Sequence, residues 1–411
     1  MRLFLTLACY APLCVLSAAT VKTENTPLRT GCYEDSQTLA SLPKGAFVTV
    51  RSARAGETVP CYKVVVESHG KKLEGYLTAA MIEDVESFDN ARKSAAWLDL
   101  SQIMGSLKNP VQSALIAGTQ GSLGQRASAL IEASQPGKAL ELLEPELKRR
   151  DPNLLALAGV AAWRADDNAK ALEYWRASLD IRPNPDLEAF YKKVEQEKNG
   201  DKSGERLLGM RVQLRYEGMS IPPDTARQML TVLDEEFGRI SVQRGCTPDE
   251  RLLSVAQSPQ SYRASTNAAE WSGGQFDGKI RVPVFESRTV DASMRRVLAH
   301  EIVHACMTLL GRWPAWLHEG VAQYVSGDRL QPAMRDQLKQ LAAQGKLPKL
   351  DELGQNWSRL DSNHAQMAYS LALMAVEVFE RDYNALGLRN LFRSGDKLGQ
   401  ITADLDRRLV Q

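Results

Sequence analysis

The apolar positions change their period several times along the chain. Arg2 opens an apolar run from Leu3 to Leu16, followed by small Ser17, Ala18 and Ala19 and polar sequence from Thr20. A positive charge, a short apolar core and a small-residue exit form a secretory signal pattern over residues 1–19, with cleavage expected after Ala19. The run is too short to cross a bilayer comfortably, so no transmembrane segment is expected. Residues 28–86 carry short β-branched and aromatic runs at Phe47–Val50, Tyr62–Val66 and Gly75–Leu77, broken by Pro43, Gly45, Gly56 and Gly70. These predict strands and turns. Residues 87–124 are irregular and contain Gly105, Gly118, Gly121 and Gly124, which reads as a linker. Residues 125–197 are helical and repetitive. Pro136-Gly137-Lys138-Ala139-Leu140-Glu141 recurs as Asn168-Ala169-Lys170-Ala171-Leu172-Glu173, 32 residues on. A polar break at Asn199–Gly204 precedes a mixed α/β segment over residues 207–411. There Met210–Tyr216, Leu252–Val255 and Lys279–Val284 read as strands and Asp224–Arg239 as a helix. Pro283 marks the third strand as an edge.

Composition narrows the class. The 411 residues allow two to four domains at about 100–200 residues each. With 44% hydrophobic and 25% charged residues, a globular chain is expected. Lys+Arg 51 against Asp+Glu 50 leaves a net charge of +1, which removes the electrostatic case for a nucleic-acid partner. Export, to the periplasm or outside the cell, places the cysteines in an oxidising compartment. Cys9 and Cys14 leave with the signal. Proximity favours Cys32–Cys61 and Cys246–Cys306, although four cysteines allow three connectivities.

The densest chemistry lies at His300-Glu301-Ile302-Val303-His304. On a helix His300 and His304 fall about 40° apart and share a face. Two imidazoles one turn apart can bind one Zn²⁺. Glu301 lies beside that pair, where it can act as general base without occupying a coordination position. Cys306 falls nearly opposite the histidine face and is not read as a ligand. A hydrolytic zinc takes three protein ligands and one open position. Trp313-Pro314-Ala315-Trp316-Leu317-His318-Glu319-Gly320 supplies the third. The first helix is expected to end near Gly311, Pro314 to turn the chain, and Trp316 and Leu317 to begin a helix crossing back. From the residues alone, His318 and Glu319 are both open as that ligand.

Asp291, Val297–Ala305 and Pro314–Tyr324, with Trp271–Ile280 upstream, resemble the gluzincin metallopeptidases of the MA-like type. The resemblance spans most of residues 207–411. It implies a thermolysin-like α+β zincin domain with His300, His304 and Glu319 as zinc ligands and Glu301 as base. It also places Gln323, a neutral amide, where thermolysin has an aspartate that orients a ligand histidine. Related enzymes use a downstream tyrosine to steady the tetrahedral oxyanion, and Tyr369 occupies a similar place. Its competing role is a core aromatic beside Leu371, Met374, Val378 and Phe379. Tyr324 and His364 stand in reserve.

Upstream, the strand pattern with its final Gly-aromatic-hydrophobic run resembles a bacterial SH3-like barrel, which implies a peptide or cell-wall contact. The repeat resembles tetratricopeptide units, with Leu155, Ala158, Gly159, Ala171, Trp175 and Pro183 at that family's large, small and terminating positions. It implies a groove for a protein partner, or a helical spacer. The expectation is a multidomain, exported zinc metallopeptidase acting on a peptide or protein. Its rivals are an inactive zinc-binding adaptor and a cell-envelope binding protein.

Overall fold

The computed structural model describes residues 18–32, 36–54, 59, 61–68, 71–85, 121–200, 204–266, 274–284, 290–354, 357, 360, 362–395 and 397–409. The signal segment through residue 17 and residues 87–120 of the expected linker lie outside them. The chain is a multidomain α/β protein with an antiparallel sheet, a run of helices, and a mixed sheet covered by helices.

The first unit is a seven-stranded antiparallel sheet of order β3-β2-β6-β5-β4-β1-β7. The three strands expected from sequence appear as β4 (Phe47–Arg54), β5 (Cys61–Ser68) and β6 (Lys71–Thr78). They are joined by β1 (Ala18–Val21), β2 (Thr26–Arg29), β3 (Thr38–Leu42) and β7 (Ile82–Glu83). The sheet thus starts ten residues before the expected boundary at Leu28, and β1 runs through the expected cleavage point. Ala19 is fully buried and pairs with Val48, so the small residues of the expected cleavage motif also suit a tight sheet interior. Alternate residues Val48, Val50, Val64 and Val66 fill the core with Leu28, Leu42, Tyr62 and Leu77. A Cys32–Cys61 disulfide ties the chain after β2 to β5.

Helices α1 (Leu123–Glu132), α2 (Pro136–Leu143), α3 (Pro152–Arg164), α4 (Asn168–Ile181) and α5 (Pro185–Gly200) form the second unit. Ser122, Asp151, Asp167 and Asn184 each accept a hydrogen bond from a first-turn amide, which sets the helix starts. Trp175 is fully buried and donates its indole N–H to the Ala156 carbonyl at 3.0 Å, over the space Gly159 leaves. Phe190 packs edge-on against both Trp163 and Trp175.

The third unit starts at Gly204, three residues before the expected boundary, because β8 (Gly204–Leu208) pairs with β9 (Val212–Glu217) in a hairpin. Strands β10 (Leu252–Gln257), β11 (Gln275–Phe276) and β12 (Ile280–Pro283) complete a sheet of order β11-β12-β10-β9-β8. Strand β12 is therefore not the edge expected from Pro283. It runs parallel to β10 on one side and pairs with β11 at Ile280 and Arg281 on the other. Pro283 lies past the end of β11, where no neighbour among the described residues needs the N–H it lacks.

Helix α6 (Pro223–Arg244), the short α7 (Pro259–Thr266) and α8 (Ala292–Leu310) follow the sheet strands. Then come α9 (Ala315–Ser326), α10 (Pro332–Ala343), α11 (Ser362–Ser394, broken at Asn384) and α12 (Leu398–Leu409). Leu214 and Val282 of the sheet, Leu233 and Phe237 of α6, Leu298 and Ile302 of α8, and Ala372 of α11 share one core. A Cys246–Cys306 disulfide fastens α8 to the chain just after α6. Among the described residues no helix is long and apolar enough to cross a membrane.

The second and third units meet through buried charge. Glu197 of α5 lies 2.9 Å from Arg281 and 3.2 Å from Arg215. Asp166, between α3 and α4, lies 3.0 Å from Arg215 and 3.3 Å from Lys279. The Lys279 ammonium also sits 4.7 Å from the centre of the Trp163 ring. Glu250 accepts from the backbone amides of Gly137 and Lys138, capping α2 from across the junction.

Candidate metal centre

Helix α8 is begun by Asp291, whose carboxylate accepts from the Met294 amide at 2.8 Å. The helix then holds its register without a break to Leu310, so His300 and His304 emerge one turn apart. Their ring centroids lie 4.8 Å apart, edge to face. Gly311 ends the helix with φ 136°, and Pro314 sits just ahead of α9. Trp316 and Leu317 anchor the start of α9 in the core. Helix α9 lies close on α11 at Gly320, where a Cβ would meet the Ala372 carbonyl oxygen at 2.4 Å. Only glycine permits that approach, and the approach fixes Glu319 over α8.

Glu319 Oε2 lies 3.4 Å from His300 Nε2 and 3.7 Å from His304 Nε2. The three donor atoms all fall within 4.8 Å of one another. Glu301 is 5% exposed, beside this group. Across from it stands Gly274, just before β11, where a Cβ would meet Glu301 Oε1 at 2.5 Å. The backbone at 274 thus walls one side of the Glu301 carboxylate.

The electrostatics separate these groups. Burial pushes the Glu301 carboxyl up to about 7, opposed by His300 and reinforced by the Glu319 charge. Burial takes His304 down to about 3, so its imidazole is neutral. His300 moves the other way: burial would depress it, but Glu319 and Glu301 outweigh that and raise it. Glu319 resists burial because His304 and His300 favour its ionised form, and its pKa falls.

Two features of the donor set suit a metal ion. Ligands about 2.0–2.1 Å from a tetrahedral ion sit about 3.4 Å apart, and Glu319 meets the two histidines at 3.4 and 3.7 Å. Glu319 Oε2 and Glu301 Oε2 are buried oxygens with no hydrogen-bond partner among the described residues. Such oxygens call for a cation or a water. The residues present fit a divalent ion of the kind held by two imidazoles and a carboxylate.

The chain matches no protein-family model and no curated protein.

The structure brings His300, His304 and Glu319 together with Glu301 alongside. His318 lies on the other side of His304, with Nδ1 3.5 Å from His304 Nδ1. Burial lowers its pKa. Gln323 donates its amide hydrogens to the carbonyls of Glu319 (3.2 Å) and Tyr369 (3.0 Å), so it clamps α9 to α11. Tyr369 meets α9 through that carbonyl, and its ring packs edge-on against Trp357 at 5.1 Å. Of the reserve residues, Tyr324 lies against the Arg329 guanidinium at 4.2 Å. His364 is exposed and lines a 310 Å³ cavity with Met334, Leu338 and Met367. The contact of Gly274 with Glu301 was not derivable from sequence, because it joins a strand lead-in to a helix 27 residues later. Trp271–Gly273, part of the resemblance, lie outside the described residues.

Proposed function

We propose that this chain is an exported zinc-dependent peptidase of the gluzincin type. In this reading the third unit is a zincin-like domain, the antiparallel sheet an SH3-like barrel, and the helices a short tetratricopeptide-like block. The observation that carries it is Glu301: a buried carboxylate with one oxygen lacking a hydrogen-bond partner among the described residues, beside a two-histidine, one-glutamate group. A purely structural metal site has no use for that residue.

His300, His304 and Glu319 would hold the ion. When bound, it would supply Lewis acidity toward a carbonyl oxygen and a water. Glu301 then takes a proton from the attacking water as the C–O bond forms, and returns it to the leaving nitrogen as the C–N bond breaks. A base whose pKa sits near neutrality suits both halves of that transfer. Gly274 keeps the carboxylate against its wall, and Tyr369 is the proposed donor to the oxyanion. Strand β11 is the last strand of the sheet among the described residues and follows Gly274 beside Glu301, and an extended substrate peptide is proposed to lie along it.

The test is cleavage of a mixed peptide library by the purified protein, read by mass spectrometry, with Glu301→Gln run beside it and zinc content measured on both. Zinc in both and cleavage by the wild type alone is the expected result. Cleavage by both points to a contaminant. Zinc in both with cleavage by neither would replace the peptidase with a zinc-binding adaptor.

A further inference from the structure

Helix α9 grips one imidazole from both sides. Adjacent helical residues project about 100° apart, and here residues 318 and 319 straddle His304. Glu319 Oε2 lies 3.7 Å from its Nε2, and His318 Nδ1 lies 3.5 Å from its Nδ1. The two rings are tilted by 32° with centroids 5.7 Å apart, so the two Nδ1 atoms face one another. A neutral imidazole carries one proton. A ring that presents the Nε2 lone pair to a metal must carry that proton on Nδ1, and the proton needs an acceptor. At His304 the nitrogen in that place belongs to His318.

We propose that His318 is a positioning residue for His304. Its Nδ1 accepts the Nδ1 proton of His304 and fixes the ring in the tautomer and orientation that turn Nε2 toward His300 and Glu319. The inference rests on the metal-centre reading above and deepens it. The alternative orienting residue, Gln323, directs its amide hydrogens to the carbonyls of Glu319 and Tyr369. Among the described residues the side-chain hydrogen bond at His304 Nδ1 is with His318, the residue before the proposed carboxylate ligand, and none joins His304 to Gln323 on the next turn. An imidazole acceptor does this without adding a third negative charge beside Glu301 and Glu319.

The experiment is a competitive Zn²⁺ titration of the full chain as wild type, His300→Ala, His318→Leu and His318→Asn, with thermal melts in chelator to compare the metal-free folds. Removal of an outer partner costs about 10–100-fold in metal affinity, which is the loss expected for His318→Leu. In His318→Asn a side-chain oxygen takes the place of Nδ1, and affinity is expected within about threefold of wild type. Wild-type affinity in His318→Leu would overturn the proposal. So would an equal loss in both variants, since that is the mark of packing rather than of an acceptor. If wild type and His300→Ala bind zinc equally weakly, the metal centre falls and this inference with it. If His300→Ala loses binding while His318→Leu does not, only the positioning role falls.

Discussion

Two of the places where this molecule buries carboxylates treat them in opposite ways. At the junction of the helical block with the mixed sheet, burial alone would raise Glu197, but Arg281, Lys279 and Arg215 overcome it and hold it at about 2. Burial lowers Lys279 to about 8 against the pull of Asp166 and Glu197. At the candidate metal centre Glu301 is equally hidden, has no guanidinium or ammonium beside it among its charged neighbours, and is pushed up to about 7. Paired charge makes a rigid joint, because moving either partner strands the other in a poor solvent. Unpaired charge leaves a group ready to exchange a proton. The same element serves both: the β11–β12 hairpin carries Arg281 in the joint and, through Gly274 just before it, the wall against Glu301.

The comparison breaks most visibly at Glu301. Glu301→Gln is expected to lower kcat/KM by up to about 10⁴-fold, the range of a general base. Unfolding stability is expected to stay the same or rise slightly, because the change removes a buried acid that no cation stabilises. A denaturation midpoint that falls along with activity would make Glu301 structural.

Glu197→Gln should give the reverse profile. It leaves Arg281 and Arg215 buried without their shared carboxylate, which costs about 3–5 kcal/mol for a broken buried pair. The readout is the denaturant midpoint, with zinc affinity of the folded protein unchanged. Equal stability would show that water reaches the joint. Loss of zinc affinity at full stability would mean that the joint tunes the centre directly.

Acid should open the joint for the same reason. The Glu197 pKa is depressed in the folded state, from an ordinary 4.5 to about 2. The unfolded chain therefore binds more protons in that interval, and stability falls as pH drops. The contribution is complete above pH 4.5 and is lost on the way to about pH 2, an effect on the order of 3 kcal/mol. Melts across that window should show the wild type losing stability and Glu197→Gln losing less.

The two places also differed in how far the sequence revealed them. His300, Glu301 and His304 were legible because their spacing is local: one helical turn places them whatever else the chain does. The third member of the candidate donor set was legible only through Trp316-Leu317-His318-Glu319-Gly320, since adjacent residues cannot be separated until the approach of α9 to α11 is known. The joint was invisible. Glu197 and Arg281 lie 84 residues apart, and no local pattern joins them. Pro283 was misread because its edge character is real on one side of β12 and false on the other. The early strands β1 and β2 were hidden because Ala18–Val21 looks like the exit of a signal, and Thr26–Arg29 contains a proline.

The smallest expected effect tests whether joint and centre communicate through the hairpin they share. A methyl at residue 274 would come within 2.5 Å of Glu301 Oε1 and 2.7 Å of its Cγ. The carboxylate is the end of a flexible side chain, so Gly274→Ala should move it rather than unfold the hairpin. The proposed ligands His300, His304 and Glu319 lie on α8 and α9 and should not respond, so zinc affinity is expected to match wild type. The proton transfer does respond to position, because reacting groups displaced by a fraction of an ångström lose alignment. A fall of about tenfold in kcat at unchanged KM is expected, equivalent to about 1.4 kcal/mol. If kcat is unchanged, the wall at Gly274 does not set the base, and the joint supports only the fold. If zinc affinity falls instead, the hairpin acts on the metal ligands, and rigid joint and reactive centre are one unit.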